Sequence, residues 1–149
     1  MLIFLDMDGV MLPMKGWQLP ENLEDGFPMF SKRATEALGS LLAEYPGDET
    51  RVVLSTSHRD RFTIAEWISI FERRGLDVRN IERLPSNKDF SKKRKDEILE
   101  WFQTNPMEGD FLIIDDDKSL NALPSKIKAH VILTSSSVGL RLEDLPVVA

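Results

Sequence analysis

Residues 1–9 read Met-Leu-Ile-Phe-Leu-Asp-Met-Asp-Gly, an apolar run that stops at two carboxylates and a glycine. The run over residues 1–5 predicts a buried strand. Because side chains i and i+2 of a strand lie on the same face, we expect Asp6 and Asp8 to point into one crevice. Two crowded carboxylates repel each other, so this arrangement indicates a bound divalent cation or a shared proton.

Three further apolar runs end in polar residues, as the first one does. They cover residues 52–54, 111–114 and 129–133, and the residues that follow them are Ser55-Thr56, Asp115-Asp116-Asp117 and Thr134. Short runs without alternation are typical of strands buried on both faces of a parallel sheet. Apolar residues at helical spacing over 31–44, 62–74 and 91–103 predict helices between these strands, the first of them capped by Ser31.

The alternation of strands and helices predicts an α/β fold. We expect a three-layer, Rossmann-like open parallel sheet, built from right-handed βαβ units with helices on both faces. Ligands of such sheets bind at the carboxyl ends of the strands, where the polar clusters of this chain lie. Residues 10–30 lack regular spacing, so the sequence predicts a single domain over residues 1–149 with an irregular loop or flap there and minimal or no cap.

Composition excludes several classes of site. The chain has 149 residues, no cysteine and a formal net charge of −6. The lack of cysteine excludes disulfides, thiolate zinc sites and cysteine nucleophiles, and it is compatible with a reducing cytoplasm. Asp6 ends the first apolar run far short of a membrane span, so we expect a soluble cytoplasmic protein with no membrane partner. The acidic balance argues against broad binding to nucleic acid, and the basic stretch 88–95 favours a solvated helix entry over a substrate-facing patch.

The order of these features resembles that of the haloacid dehalogenase (HAD) superfamily of phosphotransferases. The four signatures of that superfamily are an Asp-x-Asp strand end, a Ser or Thr strand end, a lysine and an acidic pair, and the resemblance covers nearly the whole chain. The chain is most similar to the small capless HAD domain of Swiss Army Knife RNA repair proteins, through Leu-Asp-Met-Asp-Gly-Val, Leu-Ser-Thr-Ser-His-Arg, Lys-Asp-Glu-Ile-Leu-Glu-Trp-Phe, Ile-Ile-Asp-Asp-Asp and a late Val-Gly-Leu.

The resemblance implies Mg²⁺-dependent hydrolysis of phosphomonoesters through an aspartyl phosphate. Asp6 would be the nucleophile and Asp8 the general acid and base. Magnesium suits the hard oxygen ligands of this chain. By resemblance these ligands are the Asp6 carboxylate, the Asp8 backbone carbonyl, and Asp115 or Asp116. The substrate would be a phosphorylated small molecule or a polynucleotide end, such as a nucleotide or a nucleic-acid terminal phosphate.

The sequence leaves the phosphate-binding residues open. Thr56 is the first choice for the hydroxyl and Ser55 the second, because the side chain that faces inward depends on the register of the strand. Lys95 is the first choice for the cation that binds phosphate. The rival cations in the same basic stretch are Lys92, Lys93 and Arg94.

Other polar and aromatic residues near these motifs have simpler interpretations. Asp117 is expected to cap the following helix. His58 is expected at the surface or in a cap, and Arg59 is a better candidate for contact with phosphate. Trp67 and Trp101 lie in apolar stripes of predicted helices and are expected in the core. Trp17 lies in the irregular loop and is a candidate for a substrate contact.

Two other functions use similar residues. A phospho-accepting receiver domain also carries an acidic cluster, a Ser or Thr and a lysine on a parallel sheet, but its lysine comes last in the chain. Here the lysines of residues 88–95 precede the final acidic cluster. A metal-dependent nuclease could use the same carboxylates together with those lysines.

Overall fold

The computed structural model describes residues 1–15, 20–46, 49–86, 92–106 and 109–146. Within these residues, five strands form one parallel sheet with the order β3-β2-β1-β4-β5. The strands are β1 (Leu2–Leu5), β2 (Arg51–Leu54), β3 (Ile81–Arg83), β4 (Phe111–Asp115) and β5 (Val131–Leu133). The helices of the same residues are α1 (Lys32–Glu44), α2 (Ile64–Arg73), α3 (Arg94–Thr104) and α4 (Ser125–Lys128), with 3-10 helices at Lys118–Ala122 and Leu142–Asp144. This architecture confirms the α/β parallel sheet expected from the sequence.

The order of the strands places a ligand crevice beside β1. The chain runs outward from β1 to β2 and β3, and then returns to place β4 on the other side of β1. Ligands bind where the strand order reverses in this way. A receiver domain has the flavodoxin-like order β2-β1-β3-β4-β5, with β1 between β2 and β3. Because β1 here pairs with β2 and β4, the strand order excludes the receiver alternative.

Alternate residues of the central strands face two separate cores. One face of β1 carries Ile3 and Leu5, which pack with α1 and α2. The other face carries Phe4, which packs with Val53, Ile113 and Ile98 of α3. Helices therefore cover both faces of the sheet, as the sequence predicts. Burial on both faces explains why these strands read as unbroken apolar runs.

The predicted elements agree with the observed ones except at their ends and in two short segments. Ser31 caps α1, since the backbone N–H of Ala34 donates to its hydroxyl at 3.1 Å. The helix α2 begins after Thr63, which forms a capping box with Glu66, rather than at residue 62. The helix α3 begins at Arg94, and the predicted start at residue 91 lies outside the described residues. Strand β3 and helix α4 are three and four residues long, too short for a periodic pattern to reveal.

The irregular segment after β1 is anchored to the end of α2. Its described residues contribute Phe27 and Phe30 to the core that α1 and α2 form. The buried guanidinium of Arg74 donates to the backbone carbonyls of Phe27 at 2.7 Å and Pro28 at 3.0 Å, and to Asp25 at 2.6 Å. These bonds fix residues 25–28 beside the carboxyl end of the sheet. Trp17, considered above for a substrate contact, lies outside the described residues.

We expect Arg74→Leu to lower the free energy of unfolding by about 3 kcal/mol, because it removes the buried partner of Asp25 and leaves two carbonyls unsatisfied. The neighbouring Arg73 is the matched control. Its guanidinium lies 3.0 Å from Glu24 with side-chain exposures of 44% and 89%, so Arg73→Leu should cost about 0.5 kcal/mol or less. Urea unfolding of both variants measures the difference. Equal losses would contradict the anchoring role.

Candidate active site

Three polar side chains stand at the same level on three adjacent strands. In the parallel ladders Leu5 pairs with Leu54 and with Ile114, so the next residues, Asp6, Ser55 and Asp115, are level with one another. The ladder continues through them, because Ser55 N donates to Leu5 O and Asp6 N to Ile114 O, both at 3.1 Å. By alternation all three side chains point to the face of the sheet that α3 covers.

Asp6, Asp115 and Asp116 form an acidic cluster. One carboxylate oxygen from each lies within 4.8 Å of the other two. Asp115 is 0% exposed and Asp6 6% exposed. Burial raises the pKa of Asp6, and the charge of Asp115 raises it further. Burial also raises the pKa of Asp115. Without a cation, therefore, these two carboxyl groups cannot both be ionised at neutral pH without a large cost.

Arg94 is the cation that faces this cluster. Its Nε lies 3.4 Å from Asp115 Oδ2 and its Nη2 lies 4.0 Å from Asp6 Oδ1. Its charge lowers the pKa of both carboxyls, against the effect of burial. Its Nη1 is buried and has no hydrogen-bond partner in the described part of the chain. Arg94 reaches the site because it is the first residue of α3, whose amino end faces the carboxyl ends of β1 and β4.

The acidic cluster fits a divalent cation such as Mg²⁺. Asp115 Oδ2 is buried and makes no hydrogen bond within the described residues, which is costly unless another ligand satisfies it. The cluster has three carboxylates, and Arg94 lies beside two of them, Asp6 and Asp115, so negative charge remains after that pairing. Hard oxygen ligands with excess negative charge are what Mg²⁺ prefers.

The loop after β1 depends on Gly9 to admit Asp116. Gly9 has φ +78°, and a Cβ at this position would lie 2.0 Å from Asp116 Oδ2. The hydroxyl of Ser136 donates to the same oxygen at 2.8 Å, and the hydroxyl of Thr134 donates to Gly9 O at 2.7 Å. The loops after β1 and β5 thus hold Asp116 against the acidic cluster.

We expect Gly9→Ala to reduce turnover about 100-fold, because the added Cβ would displace Asp116, a candidate metal ligand. It should also weaken the response to Mg²⁺. Gly75→Ala is the matched control: Gly75 has φ +82° and nothing within 4 Å of its added Cβ. Both variants carry the strain of a positive φ, about 1–2 kcal/mol, but only the Gly9 variant meets Asp116. Mg²⁺ titration of activity separates them, and equal Mg²⁺ dependence would rule out this role of Gly9.

The burial of Asp6 and Asp115 also predicts how stability depends on pH. In the metal-free protein the unfolded chain loses these protons above pH about 4 while the folded chain retains one, so stability should fall as pH rises from about 5 to about 8. A Mg²⁺ ion at this cluster would need the ionised carboxylates, so it should stabilise the fold more at pH 8 than at pH 5. Urea unfolding with EDTA or Mg²⁺ measures both trends. Asp115→Asn removes the charge that raises the pKa of Asp6 beyond the effect of burial, so it should reduce the metal-free slope. An unchanged slope would contradict the repulsion between the two carboxyl groups.

Asp8 has a different environment from Asp6. Its side chain is 44% exposed and its Oδ2 lies 2.9 Å from His58 Nε2. Its carboxylate is not part of the cluster that Asp6 forms with Asp115 and Asp116 in the described residues. The two aspartates of the opening motif therefore have separate surroundings, which is how one site gives two carboxyl groups different roles.

The two candidate hydroxyls face different groups. Ser55 Oγ is 0% exposed, lies on the face of Asp6, and has no hydrogen-bond partner within the described residues. Thr56 Oγ1 instead accepts from the backbone N–H of His58 at 3.2 Å. The register therefore brings Ser55, the second choice from the sequence, to the level of the acidic cluster, and Thr56 shapes the next loop.

The described residues of the basic stretch, 92–95, make different contacts. Lys95 donates its backbone N–H to Ser119 Oγ at 3.2 Å, and its side chain forms no ion pair with any described residue. Lys92 Nζ lies 2.7 Å from Glu100 Oε2. Lys93 occupies the N-cap position of α3, where its backbone N–H donates to Asp96 Oδ2 at 3.0 Å. Arg94, which the sequence offered as a rival to Lys95, is the residue that reaches Asp6 and Asp115. Residues 88–91 lie outside the described part of the chain.

The remaining candidates have structural contacts. Arg59 is 5% exposed and its guanidinium donates to Leu84 O, Ser55 O and Pro85 O and to Glu97. It thus ties the β2 loop to α3, and its nitrogens are occupied by protein acceptors. Asp117 caps the following 3-10 helix by accepting from Ser119 N at 2.8 Å, which confirms the cap. The core placement is confirmed for Trp67, which is 0% exposed, while Trp101 is partly buried against Phe4.

A comparison with protein families adds to this geometry. The sequence pattern of the HAD domain in Swiss Army Knife RNA repair proteins matches residues 2–145. The chain belongs to this family. Membership in this HAD family implies hydrolase activity in general and suggests a phosphoesterase. No curated protein and no solved structure matches the chain. None of the helices in the described residues of this HAD domain is long and apolar enough to cross a membrane.

Proposed function

We propose that this HAD domain is a Mg²⁺-dependent phosphomonoester hydrolase that acts through a phosphoryl group on Asp6. The observation that carries the proposal is the level placement of Asp6, Ser55 and Asp115 on three adjacent strands, with Arg94 opposite them. An acidic pair on neighbouring buried strand ends has no packing benefit. Two buried polar atoms of this layer, Ser55 Oγ and Asp115 Oδ2, make no hydrogen bond within the described residues.

Asp6 is the nucleophile of the first step. Its carboxylate oxygen attacks phosphorus, the bond from phosphorus to the ester oxygen breaks, and an aspartyl phosphate forms. The backbone N–H of Met7 donates to Asp6 Oδ1 at 2.8 Å and fixes the direction of the carboxylate. Because Asp6 is nearly buried, it meets the phosphoryl group with little competing water.

Asp8 is the general acid of the first step and the general base of the second. Its carboxylic acid donates a proton to the departing ester oxygen in the first step. In the second step the resulting carboxylate accepts a proton from the water that attacks phosphorus. The bond between Asp6 and phosphorus then breaks, which releases inorganic phosphate and restores the Asp6 carboxylate. The partial exposure of Asp8 supports this role, because both the leaving group and water must reach it.

Ser55 and Arg94 would bind the oxygens of the transferred phosphoryl group. Both offer a buried polar atom without a partner in the described residues, Ser55 Oγ and Arg94 Nη1. A guanidinium stabilises charge that develops on phosphoryl oxygens and binds them with a fixed geometry. The carboxylates of Asp6, Asp115 and Asp116, with the backbone carbonyl of Asp8, would hold Mg²⁺, which supplies further neutralisation of phosphoryl charge when bound.

The substrate is proposed to be a nucleotide or the terminal phosphate of a nucleic acid. The family description, a domain of RNA repair proteins, supports this class. The described residues between β1 and α1, 10–15 and 20–31, contain no helix or strand. They therefore form only loop segments beside the crevice. A polymer end can enter such a site more easily than one covered by a cap domain. The net charge of −6 argues against binding along an extended nucleic-acid backbone, so the proposal is limited to the terminal phosphate.

The test is a substrate screen in Mg²⁺. We expect hydrolysis of p-nitrophenyl phosphate and none of bis(p-nitrophenyl) phosphate. Among oligonucleotides and nucleotides, we expect phosphate release from 3′- or 5′-phosphorylated ends. Cleavage of the diester, or of internal phosphodiester bonds, would favour the metal-dependent nuclease. Lack of turnover of every monoester, with Mg²⁺ binding intact, would overturn the proposed reaction.

A further inference from the structure

His58 is the side chain that contacts the proposed acid and base. Its Nε2 lies 2.9 Å from Asp8 Oδ2, across fifty positions of the chain. Among the described residues, no other group forms a hydrogen bond with the Asp8 carboxylate. The Asp8 side chain is 44% exposed, so nothing else in this part of the chain restricts its rotamer by hydrogen bonding.

The imidazole of His58 is itself held from two sides. Its backbone N–H donates to Thr56 Oγ1 at 3.2 Å. Its ring packs edge-to-face on Phe27, with centroids 5.7 Å apart and an interplanar angle of 80°. Phe27 is fully packed in the core and its carbonyl is fixed by Arg74. A side chain that is restrained both at its backbone and by an aromatic contact can fix the orientation of the group to which it hydrogen-bonds.

On this geometry, we propose that His58 is a positioning residue that directs the Asp8 carboxyl group toward the ester oxygen of the substrate. The inference rests on the proposed function, since it assigns His58 a task only if Asp8 transfers protons there. A partly exposed carboxylate that rotates freely spends little time in a productive geometry. The contact with His58 reduces that freedom before the substrate arrives.

The dependence of rate on the leaving group reports this role. A poor leaving group, such as the ribose hydroxyl of a nucleotide, needs a proton as it departs, whereas p-nitrophenolate departs readily without one. Loss of a positioned Asp8 therefore slows formation of the aspartyl phosphate more from the nucleotide than from p-nitrophenyl phosphate, whereas hydrolysis of that intermediate is the same for both substrates. A general loss of folding or of Mg²⁺ binding would slow both substrates alike.

Two substitutions of His58 separate its hydrogen bond from its packing. His58→Phe keeps an aromatic ring against Phe27 but removes the nitrogen that reaches Asp8. His58→Gln keeps a donor at a similar distance from the backbone. The matched control is His130, whose Nδ1 contacts Phe111 O at 3.0 Å and which precedes β5, at the opposite end of the sheet from the site. His130→Gln should leave kcat unchanged.

We expect His58→Phe to lower kcat/KM, which reports formation of the aspartyl phosphate, roughly 10- to 100-fold for a nucleotide and much less for p-nitrophenyl phosphate. His58→Gln should recover most of the loss. With Asp8→Asn already present, His58→Phe should have little further effect, because the two residues act as one unit. Unchanged kcat/KM for the nucleotide in His58→Phe, equal losses of kcat/KM on both substrates, or additive losses with Asp8→Asn would overturn the inference. If instead the wild-type protein and the Asp6→Asn variant are equally inactive, the proposed function itself fails.

Discussion

Asp6→Asn should abolish turnover of phosphomonoesters, with kcat reduced by about 10⁴-fold or more, because the amide cannot act as the nucleophile. The variant should remain folded. Its neutral amide replaces a buried carboxyl that shares a negative charge with Asp115, so the metal-free protein should be at least as stable as wild type. Steady-state kinetics with p-nitrophenyl phosphate and urea unfolding measure the two effects.

The matched control for this substitution is Asp77→Asn. The Asp77 side chain is 73% exposed and lies beside Arg79 on the surface, so its loss should leave kcat unchanged. Full activity in the Asp6 variant would mean that no covalent bond to this residue is needed. Inactivity together with unfolding would instead mean that Asp6 is needed for the fold.

The second large effect should come from Arg94. Arg94→Ala removes the guanidinium from Asp6 and Asp115 and the proposed contact with phosphoryl oxygens. We expect kcat to fall about 10²- to 10³-fold, as it does when one donor to a developing charge is lost. Arg94→Lys should recover only part of the loss, because an ammonium cannot make the same forked contacts.

Lys95→Ala is the control, because Lys95 is the first choice from the sequence for the cation that binds phosphate. Lys95 lies next to Arg94 in α3 and forms no ion pair with the acidic cluster. Turnover should therefore stay within about twofold of wild type, since substitutions away from buried or bonded groups have small effects. A large loss in Lys95→Ala with little loss in Arg94→Ala would return the phosphate-binding role to the lysine.

The fold could be predicted because its signals are local. Unbroken apolar runs at residues 1–5, 52–54 and 111–114 reflect burial on both faces of the sheet, and the cap at Ser31 marks the start of α1. The short edge strand β3 gave no such signal, because Ile81-Glu82-Arg83 has one buried apolar residue. The helix α4 gave no sequence signal either, because its four residues make barely one turn.

The site could be predicted only as far as residue types, because exact neighbours depend on register and helix phase. A shift of one residue moves a strand side chain to the other face, and this determines which of Ser55 and Thr56 lies level with Asp6. One position along a helix turns a side chain by about 100°, and this determines which of Arg94 and Lys95 lies beside Asp6 and Asp115. His58 meets Asp8 only through the packing of two loops, which no local pattern encodes.

Two features of the sequence could have narrowed these choices. The ladders pair β1 with both neighbours in equal register, so aligning the ends of the apolar runs would have set Ser55 level with Asp6 and Asp115. Acidic residues in the first turn of a helix mark its start, and Asp96 and Glu97 place that turn just after residue 93.

Covalent labelling of Asp6 tests the central proposal most directly. The Asp8→Asn variant should slow hydrolysis of the aspartyl phosphate while still accepting an activated substrate. After rapid acid quenching with p-nitrophenyl phosphate and Mg²⁺, tandem mass spectrometry should find one phosphoryl group on Asp6. A burst of p-nitrophenol equal to the enzyme concentration should accompany it. Such a burst with the phosphoryl group on another residue, or sustained turnover by both wild type and this variant with no phosphoryl group on Asp6, would contradict the mechanism.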